Sequence, residues 1–353
     1  MLAVECCRSS FGCSSGIAAP SLQGIDWVRL LRFARFHRIE GLVWNRLSPH
    51  RGKLPRDAAE DLQAAASEIA ANNLRALQEC RILLKGFEDA KIPLLFLKGL
   101  PLGALAYRNP AIKSSIDIDL LIDPQELLSS AIVLRVYGYR LVAPAESADD
   151  ELLIRWHRGW KESVWRNDLT RSQIDLHTQT ADNARLIPTI DVHSPSQQVE
   201  VHDGLSLPTF ADEQLFAYLA VHGASSAWFR LKWLADFAGF LSGKTARIGH
   251  FYSRSQELGA GRAAGQALLL ADELFGTLKK SPDLRAKLKQ DAATLRLFEI
   301  AWRLLSRGKI EPTERRWGTL PIHSAQLLLL PDLGYKLSEV ARQARRLFDR
   351  PPG

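Results

Sequence analysis

The stretch SSIDIDLLI, residues 114–122, places two aspartates, Asp117 and Asp119, among isoleucines and leucines. Successive side chains of a β-strand point to opposite faces, so Asp117 and Asp119 are expected to project together from one face. The apolar residues at alternate positions would then project into a core: Ile116, Ile118 and Leu120. The stretch therefore predicts a buried strand, residues 116–122, that carries two neighbouring carboxylates.

Two carboxylates side by side on an apolar strand repel each other and lose hydration. A divalent cation relieves both effects, and Mg²⁺ prefers carboxylate oxygens while it keeps coordination sites for phosphate oxygens and water. Such a site can orient a nucleoside triphosphate and stabilise charge during nucleotidyl transfer. The alternative is that the pair lies at a strand end, faces solvent and holds no ion.

Two other segments favour the metal site. Lys98-Gly99 follows the apolar run LLFL at 94–97, which predicts a strand and then a turn that can offer backbone N–H groups and an ammonium to phosphate. Asp175 alternates with Ile174 and Leu176 in a second predicted strand. A neighbouring position in one sheet would make Asp175 the third carboxylate, although an aspartate on an edge strand would show the same pattern.

The composition is that of a soluble globular protein, with 46% apolar and 24% charged residues in a chain of 353. No run of about 18 or more uncharged apolar residues occurs, so no membrane span is expected. The absence of a signal-peptide pattern favours a cytoplasmic protein. The net charge of +7 suits a polyanion such as a nucleotide or RNA. A solvated helix face, rich in arginine near the C-terminus, would also explain the charge: Arg342, Arg345, Arg346 and Arg350.

Periodicity divides the chain into four segments and predicts an α+β fold. Residues 1–24 are rich in Ser and Gly, which predicts a flexible lead. Its three cysteines lack a second ligand pair at zinc-site spacing, so free thiols are favoured over a partial zinc site: Cys6, Cys7 and Cys13. The other segments are N-terminal helices, a central α/β unit and a C-terminal helical region: 25–91, 92–210 and 211–353. Within them, the apolar spacing predicts helices at 25–48, 56–91 and 246–276, among others.

The order of these motifs resembles the uncharacterised nucleotidyltransferase family of bacteria, a branch of the DNA polymerase β-like superfamily. The resemblance rests on FLKG at 96–99, the acidic strand with Gly138-Tyr139 after it, and IDLH at 174–177. It continues into the helical region with LAVHG at 219–223 and WFRLKWLAD at 228–236. These segments are collinear over roughly residues 25–300.

The resemblance implies a small mixed sheet flanked by helices, two Mg²⁺ ions, for which Mn²⁺ can substitute, and transfer of a nucleoside monophosphate from an NTP. The acceptor stays open among a protein, a peptide, a small molecule and an RNA. The implied metal ligands and catalytic carboxylates are Asp117, Asp119 and Asp175. The residues expected near the nucleotide phosphates are Lys98, Gly99, Lys113 and Ser115.

The chain departs from the family pattern at two places. The turn is Gly99-Leu100 instead of Gly-Ser or Gly-Gly, and Lys113 stands where arginine is frequent, which removes the bidentate fork. The altered turn keeps a second hypothesis open, a nucleotide- or RNA-binding regulator without turnover. A third hypothesis is a scaffold in which the helices assemble a complex.

Several aromatic and histidine residues have two interpretations each. His177 shares the face of Asp175 and can contact substrate or support the strand. For His222 a structural hydrogen bond is favoured over a substrate contact. For Trp228, Trp233 and Asp236, core packing and a buried hydrogen bond are favoured. The stretches 163–165 and 172–178 predict the two strands of a hairpin, with turn chemistry at Asn167-Asp168. His157 and the nearby tryptophans can form a base-stacking wall or pack in the core or against this hairpin, and packing is favoured.

Overall fold

The computed structural model describes residues 2–12, 21–307 and 310–348. The strands are β1 (Leu95–Phe96), β2 (Ile118–Leu121), β3 (Arg140–Ala143), β4 (Glu162–Asn167), β5 (Ser172–His177), β6 (Ser196–His202) and β7 (Leu205–Phe210). The first eight helices are α1 (Leu2–Ser9), α2 (Trp27–His37), α3 (Glu40–Leu47), α4 (Arg56–Asp89), α5 (Leu100–Tyr107), α6 (Leu127–Val136), α7 (Asp150–His157) and α8 (Asp212–Ser225). The later helices are α9 (Leu231–Leu241), α10 (Ile248–Glu257), α11 (Gly261–Phe275), α12 (Pro282–Gln290), α13 (Ala292–Arg307), α14 (Leu320–Gln326) and α15 (Leu333–Phe348).

Five strands form one mixed sheet in the order β1-β2-β5-β4-β3. The central strands β2 and β5 are parallel, and the other pairs are antiparallel. β6 and β7 form a separate hairpin that packs against β1 and α5. A small mixed sheet among helices confirms the predicted α+β fold.

The two faces of the sheet have different surroundings. One face is apolar and packs with α4 and α6 in a core that contains Ile118, Leu120, Trp165 and Ile174. The other face contributes Leu95, Leu97 and Leu121 to a second core, which the C-terminal helices α8, α9 and α11 largely build. The polar residues of the β2–β5 pair lie on this second face, where the C-terminal helices enclose them.

The strand predicted at 116–122 is shorter than expected and begins at Ile118. Ile118 and Leu120 are buried as predicted, at 7% and 0% exposure. The expectation for Ile116 was wrong, because its side chain is 60% exposed. Pairing with β5 begins at Ile118. Ile116 therefore precedes the sheet, and the alternation of side chains between the two sheet faces does not extend to it.

Some predicted helices divide where the backbone leaves the helical region. The helix expected at 246–276 is two helices, α10 and α11, because Gly259 between them has a φ of +85°. The segment at 25–48 likewise divides into α2 and α3 at Arg38, which has a φ of 53°. The long helix predicted at 56–91 is confirmed as α4.

The beginning of the chain differs from the flexible lead that its composition predicted. Residues 2–9 form α1, and Leu2, Ala3, Cys6 and Cys7 are buried in the helical core. Among the described residues neither cysteine forms a disulfide, and burial raises the pKa of each thiol. Cys13 lies outside the described residues. An apolar helix face, too short to show in the composition, anchors residues 2–9 to the core.

None of the helices in the described ranges combines the length and the apolar character that a membrane span requires.

Candidate active site

Asp119 and Asp175 lie side by side on the two parallel strands at the centre of the sheet. The register of β2 and β5 pairs Asp119 with Asp175, so both carboxylates project from the same face. The Asp119 side chain is 2% exposed. Because neighbouring strands are separated by about 4.8 Å, two carboxylates at paired positions can share one ion.

Oδ1 of Asp119 contacts two basic side chains. Nζ of Lys98 lies at 2.9 Å and Nε2 of His177 at 3.1 Å. The N–H of Leu97 donates to the carbonyl of Asp119. This backbone hydrogen bond places the end of β1 beside Asp119, so the side chain of Lys98, the next residue, reaches the Asp119 carboxylate. Burial opposes ionisation of Asp119, but the Lys98 ammonium and the His177 hydrogen bond hold its pKa well below the usual range. Asp119 is therefore an anion at neutral pH.

A second carboxylate, Glu162, supports His177 from the opposite side. Glu162 pairs with His177 across β4 and β5, and its Oε2 lies 3.2 Å from Nδ1 of His177, although the angle does not meet hydrogen-bond geometry. The ammonium of Lys161 contacts the same carboxylate. Burial opposes ionisation of Glu162, but Lys161 and His177 lower its pKa. The hydrogen bond to Asp119 and the nearby charge of Glu162 together favour one orientation of the His177 ring.

Asp175 has the opposite electrostatic environment. Its Oδ1 accepts a hydrogen bond from Nε2 of Gln173 at 3.1 Å. Burial, followed by the charges of Asp117 and Asp119, raises the pKa of Asp175 to about 8. In the described part of the chain, no lysine or arginine forms an ion pair with Asp175. The Asp175 carboxyl therefore lacks a counter-ion among those residues, and a cation would relieve the repulsion that raises its pKa.

A divalent cation fits this deficit. Asp119, Asp175 and His177 each offer a ligand atom, and these atoms lie within 4.8 Å of one another. The donor set contains two carboxylates, which hard divalent cations prefer. The sequence anticipated Asp119 and Asp175 in this cluster, and the structure adds His177.

Asp117 lies at the mouth of the site, one residue before β2, and lines two adjoining cavities. The narrower cavity also touches Lys98, Gly99 and Ser115, so the structure brings these predicted residues together. Gly99 has a φ of +67°, which glycine adopts readily, and Ser115 Oγ donates to the carbonyl of Asp117 at 3.2 Å. Asp117 is not among the three residues that form the tight group.

A sequence profile described as uncharacterised nucleotidyltransferase matches residues 23–276. The chain belongs to this family. The matched range contains the whole sheet and every residue of the acidic site, which confirms the resemblance and the enzyme class, a nucleotidyltransferase. A search of curated proteins finds no match.

In this nucleotidyltransferase, Lys113, which the resemblance placed near the phosphates, forms an ion pair with a buried carboxylate. Nζ of Lys113 lies 3.4 Å from Oδ2 of Asp236, and both side chains are 6% exposed. Tyr107 donates its hydroxyl to Oδ1 of Asp236 at 2.8 Å. Asp236 thus makes the buried hydrogen bond that was expected, and Lys113 serves as its counter-ion.

Lys232, on α9, is a cation that the sequence did not single out. Its Nζ donates to the carbonyl of Ser114 at 3.0 Å, which ties α9 to the segment that carries Asp117. Burial, followed by the charge of Lys113, lowers the pKa of Lys232 to about 7. The one signal in the sequence is that Lys232 lies in WFRLKWLAD, a segment that resembles the family.

The helix α8 covers the site with Tyr218 and His222, which are one turn apart. Their ring centroids are 5.9 Å apart, and Trp233 meets His222 edge to face at 5.9 Å. Burial raises the pKa of Tyr218. Burial, reinforced by the Lys98 ammonium, holds the pKa of His222 well below its usual range, so His222 is neutral. Packing is therefore the role that the contacts of His222 support.

The three tryptophans in and just before β4 mainly pack against other parts of the protein. Trp165 is fully buried, and Trp156 stacks on Trp160 with centroids 4.7 Å apart. The indole of Trp156 donates to the carbonyl of Glu162 at 2.8 Å, so this pair supports the start of β4. His157 is held by Thr178 at 2.8 Å, and burial with the charge of His177 lowers its pKa to about 4.

Proposed function

We propose that this nucleotidyltransferase moves a nucleoside monophosphate from an NTP to an acceptor hydroxyl with the help of Mg²⁺, for which Mn²⁺ can substitute. The observation that carries the proposal is the pairing of Asp119 with Asp175 on adjacent parallel strands. The raised pKa of Asp175 supports it, because the folded protein surrounds this carboxyl with negative charge that a cation would neutralise.

Asp119 and Asp175 would hold the divalent cation, and Asp117 would extend the ligand set toward the nucleotide. When bound, the cation would supply electrostatic stabilisation of the phosphate charge. His177 donates to Asp119 and contacts Glu162, so we assign it the positioning of the Asp119 carboxylate.

The Lys98–Gly99 turn would bind the NTP phosphates. It precedes α5 directly and shares a cavity with Asp117 and Ser115. Lys98 already holds its ammonium at the carboxylates, where it can pair with a phosphate oxygen as a point charge. Lys113 is committed to Asp236, so we give it a structural role instead.

The decisive experiment is transfer of label from an α-labelled NTP to fractions of a native lysate. We expect Mg²⁺- or Mn²⁺-dependent labelling by the wild type and a loss of at least about 100-fold in Asp119→Asn, comparable to the removal of an electrostatic group in other active sites. The matched control is Asp203→Asn, an exposed aspartate in the turn between β6 and β7. Labelling that survives in Asp119→Asn, or no labelling of any fraction with either metal, would refute the proposal.

A regulator that binds nucleotide without turnover is the second candidate. The Lys98–Asp119 ion pair favours this candidate. Because Asp119 already has a counter-ion, it does not require the metal ion that catalysis would need. Calorimetry separates the two functions. Nucleotide affinity that is unchanged by Mg²⁺ and by Asp175→Asn would favour the regulator.

A further inference from the structure

A cavity of about 220 Å³ opens at the N-terminal ends of β2 and β5, beside the acidic site. Its walls come from α4, from the segment before β2 and from the start of β5. The residues that carry its chemistry are Arg75, Arg171, Asn72, Gln173, Ile116 and Asp117.

The cavity lining contains two guanidinium groups, those of Arg75 and Arg171, against the single carboxylate of Asp117. Arg75 and Arg171 are both exposed side chains in its lining. Arg75 donates to the amide oxygen of Asn72, and in the described ranges neither arginine forms an ion pair with a carboxylate. A guanidinium presents a planar set of donors that matches phosphate and carboxylate groups. The chemistry of this wall therefore fits an anionic group.

The same cavity is connected with the carboxylates. Asp117 and Ser115 line both this cavity and the narrow one at the Lys98–Gly99 turn. Gln173, in its wall, donates to Asp175 at 3.1 Å. A molecule in the cavity would thus lie on the side of the carboxylates away from the turn that we assign to the NTP phosphates.

We propose that this cavity binds the acceptor, and that the acceptor is a small molecule whose phosphate or carboxylate group pairs with Arg75 and Arg171. This inference rests on the proposed function. The volume is below the roughly 300–1,000 Å³ of pockets for drug-sized ligands, which favours a small acceptor. Ile116, 60% exposed, gives the same wall an apolar contact for a carbon skeleton.

In the reaction, the acceptor hydroxyl oxygen forms a bond to the α-phosphorus of the NTP. The bond from that phosphorus to the bridging oxygen breaks, and pyrophosphate leaves with the electron pair. The hydroxyl proton passes to a carboxylate of the site and then to solvent. The arginines take no part in these bonds, so their role is to position the acceptor.

The test is calorimetry on the full chain, saturated with Mg²⁺ and a non-hydrolysable NTP analogue. The probes are glycerol 1-phosphate, glycerate and glycerol, which share a hydroxyl-bearing skeleton and differ in the anionic group. We expect at least one anion to bind with a Kd of about 1 mM or tighter, and glycerol to bind at least about tenfold more weakly. The anion that binds more tightly distinguishes phosphate from carboxylate.

Three variants complete the test. Arg75→Gln/Arg171→Gln should weaken the anion at least about tenfold, and Arg75→Lys/Arg171→Lys should recover part of the loss. Arg29→Gln/Arg32→Gln, two exposed arginines of α2, should bind like the wild type. Binding of the NTP analogue should be the same in all of them.

The outcomes separate the two proposals. If the NTP analogue binds but the anions bind no better than glycerol, or if the double glutamine variant keeps full anion affinity, the inference about the acceptor is wrong and the proposed function stands. If the anions bind but the NTP analogue does not, the proposed function falls, and with it the assignment of the cavity to an acceptor.

Discussion

Nζ of Lys98 lies 2.9 Å from Oδ1 of Asp119, and the two side chains are 19% and 2% exposed. This ion pair joins the turn after β1 to β2, one of the two parallel strands. A buried pair is costly to break on one side only, because the remaining charge loses its partner. The contact therefore links the stability of the fold to the electrostatics of the site.

Lys98→Met should destabilise the metal-free protein by about 3 kcal/mol, since it leaves Asp119 without its ammonium. Saturating Mg²⁺ should restore more stability to the variant than it adds to the wild type, because the cation replaces the lost charge. Thermal unfolding with and without Mg²⁺ measures both effects. Lys85→Met is the control, because the Lys85–Asp89 pair at 3.3 Å is 75% and 64% exposed and is expected to contribute less than about 1 kcal/mol. Equal losses in the two variants would contradict this account.

Asp175→Asn should stabilise the metal-free protein at alkaline pH. The pKa of Asp175 is raised to about 8 in the folded state, whereas an unfolded aspartate titrates near about 3.9. The folded state then binds the extra proton between these values, so Asp175 makes stability fall as pH rises through that window. The advantage of Asp175→Asn should therefore grow from pH 5 to about pH 8 and then level off.

The measurement for Asp175 is the difference in Tm between variant and wild type across that pH range, in the presence of a chelator. Asp203→Asn, in the exposed β6–β7 turn, should show no such trend. Saturating Mg²⁺ should reverse the sign, because the cation stabilises the wild type through its carboxylate. A difference that does not change with pH would exclude a raised pKa for Asp175.

Lys232 should produce a pH dependence of the opposite sign. Burial lowers its pKa to about 7, below the roughly 10.4 of an unfolded lysine. Between these values the unfolded state binds more protons, so Lys232 makes stability rise with pH from about 7 to about 10. Relative to the wild type, Lys232→Met should thus be more stable at pH 7 than at pH 10.

The structural contact of Lys232 gives an independent readout. Its ammonium donates to the carbonyl of Ser114, three residues before Asp117, so Lys232→Met should also loosen that segment. Hydrogen exchange should detect faster exchange of the amides at 114–117. Unchanged exchange there would show that the contact does not hold the segment.

Lys113→Met should destabilise the fold by about 3 kcal/mol, because it leaves the buried Asp236 carboxylate unpaired. The double variant Lys113→Met/Asp236→Leu should recover part of that loss, since no charge then remains buried. Urea unfolding of the two variants measures the difference. The affinity of the double variant for an NTP should equal that of the wild type. A loss of NTP affinity at equal stability would instead support the phosphate contact that the family resemblance implied.

Much of the candidate site was visible in the sequence because strands impose a period of two. The alternation in IDIDLL and IDLH predicted which side chains face the core, and Ile118, Leu120, Ile174 and Leu176 are all buried. The order of the acidic motifs and the Lys98-Gly99 turn indicated the family, and the profile match confirms it. The prediction that Ile116 is buried was wrong, because side chains alternate between the two faces only where a strand is paired, and Ile116 precedes β2.

Other members of the site depend on contacts that a single sequence does not encode locally. Glu162 faces His177 because the β4–β5 hairpin closes in one particular register. Lys232 meets Ser114 across 118 positions of the chain, which only the packing of α9 determines. Lys113, close in sequence to the aspartates, points instead to Asp236 and is neutralised there.

The sequence by itself determined the fold class, the family and the carboxylates, because backbone alternation and motif order are local properties. Only the tertiary structure decided that Asp119 sits beside Asp175, that Lys98 supplies the counter-ion of Asp119, and that arginines line a separate cavity. The physical reason is that charge pairing and enclosure depend on distances in space. Those distances follow from strand register and helix packing over the whole chain.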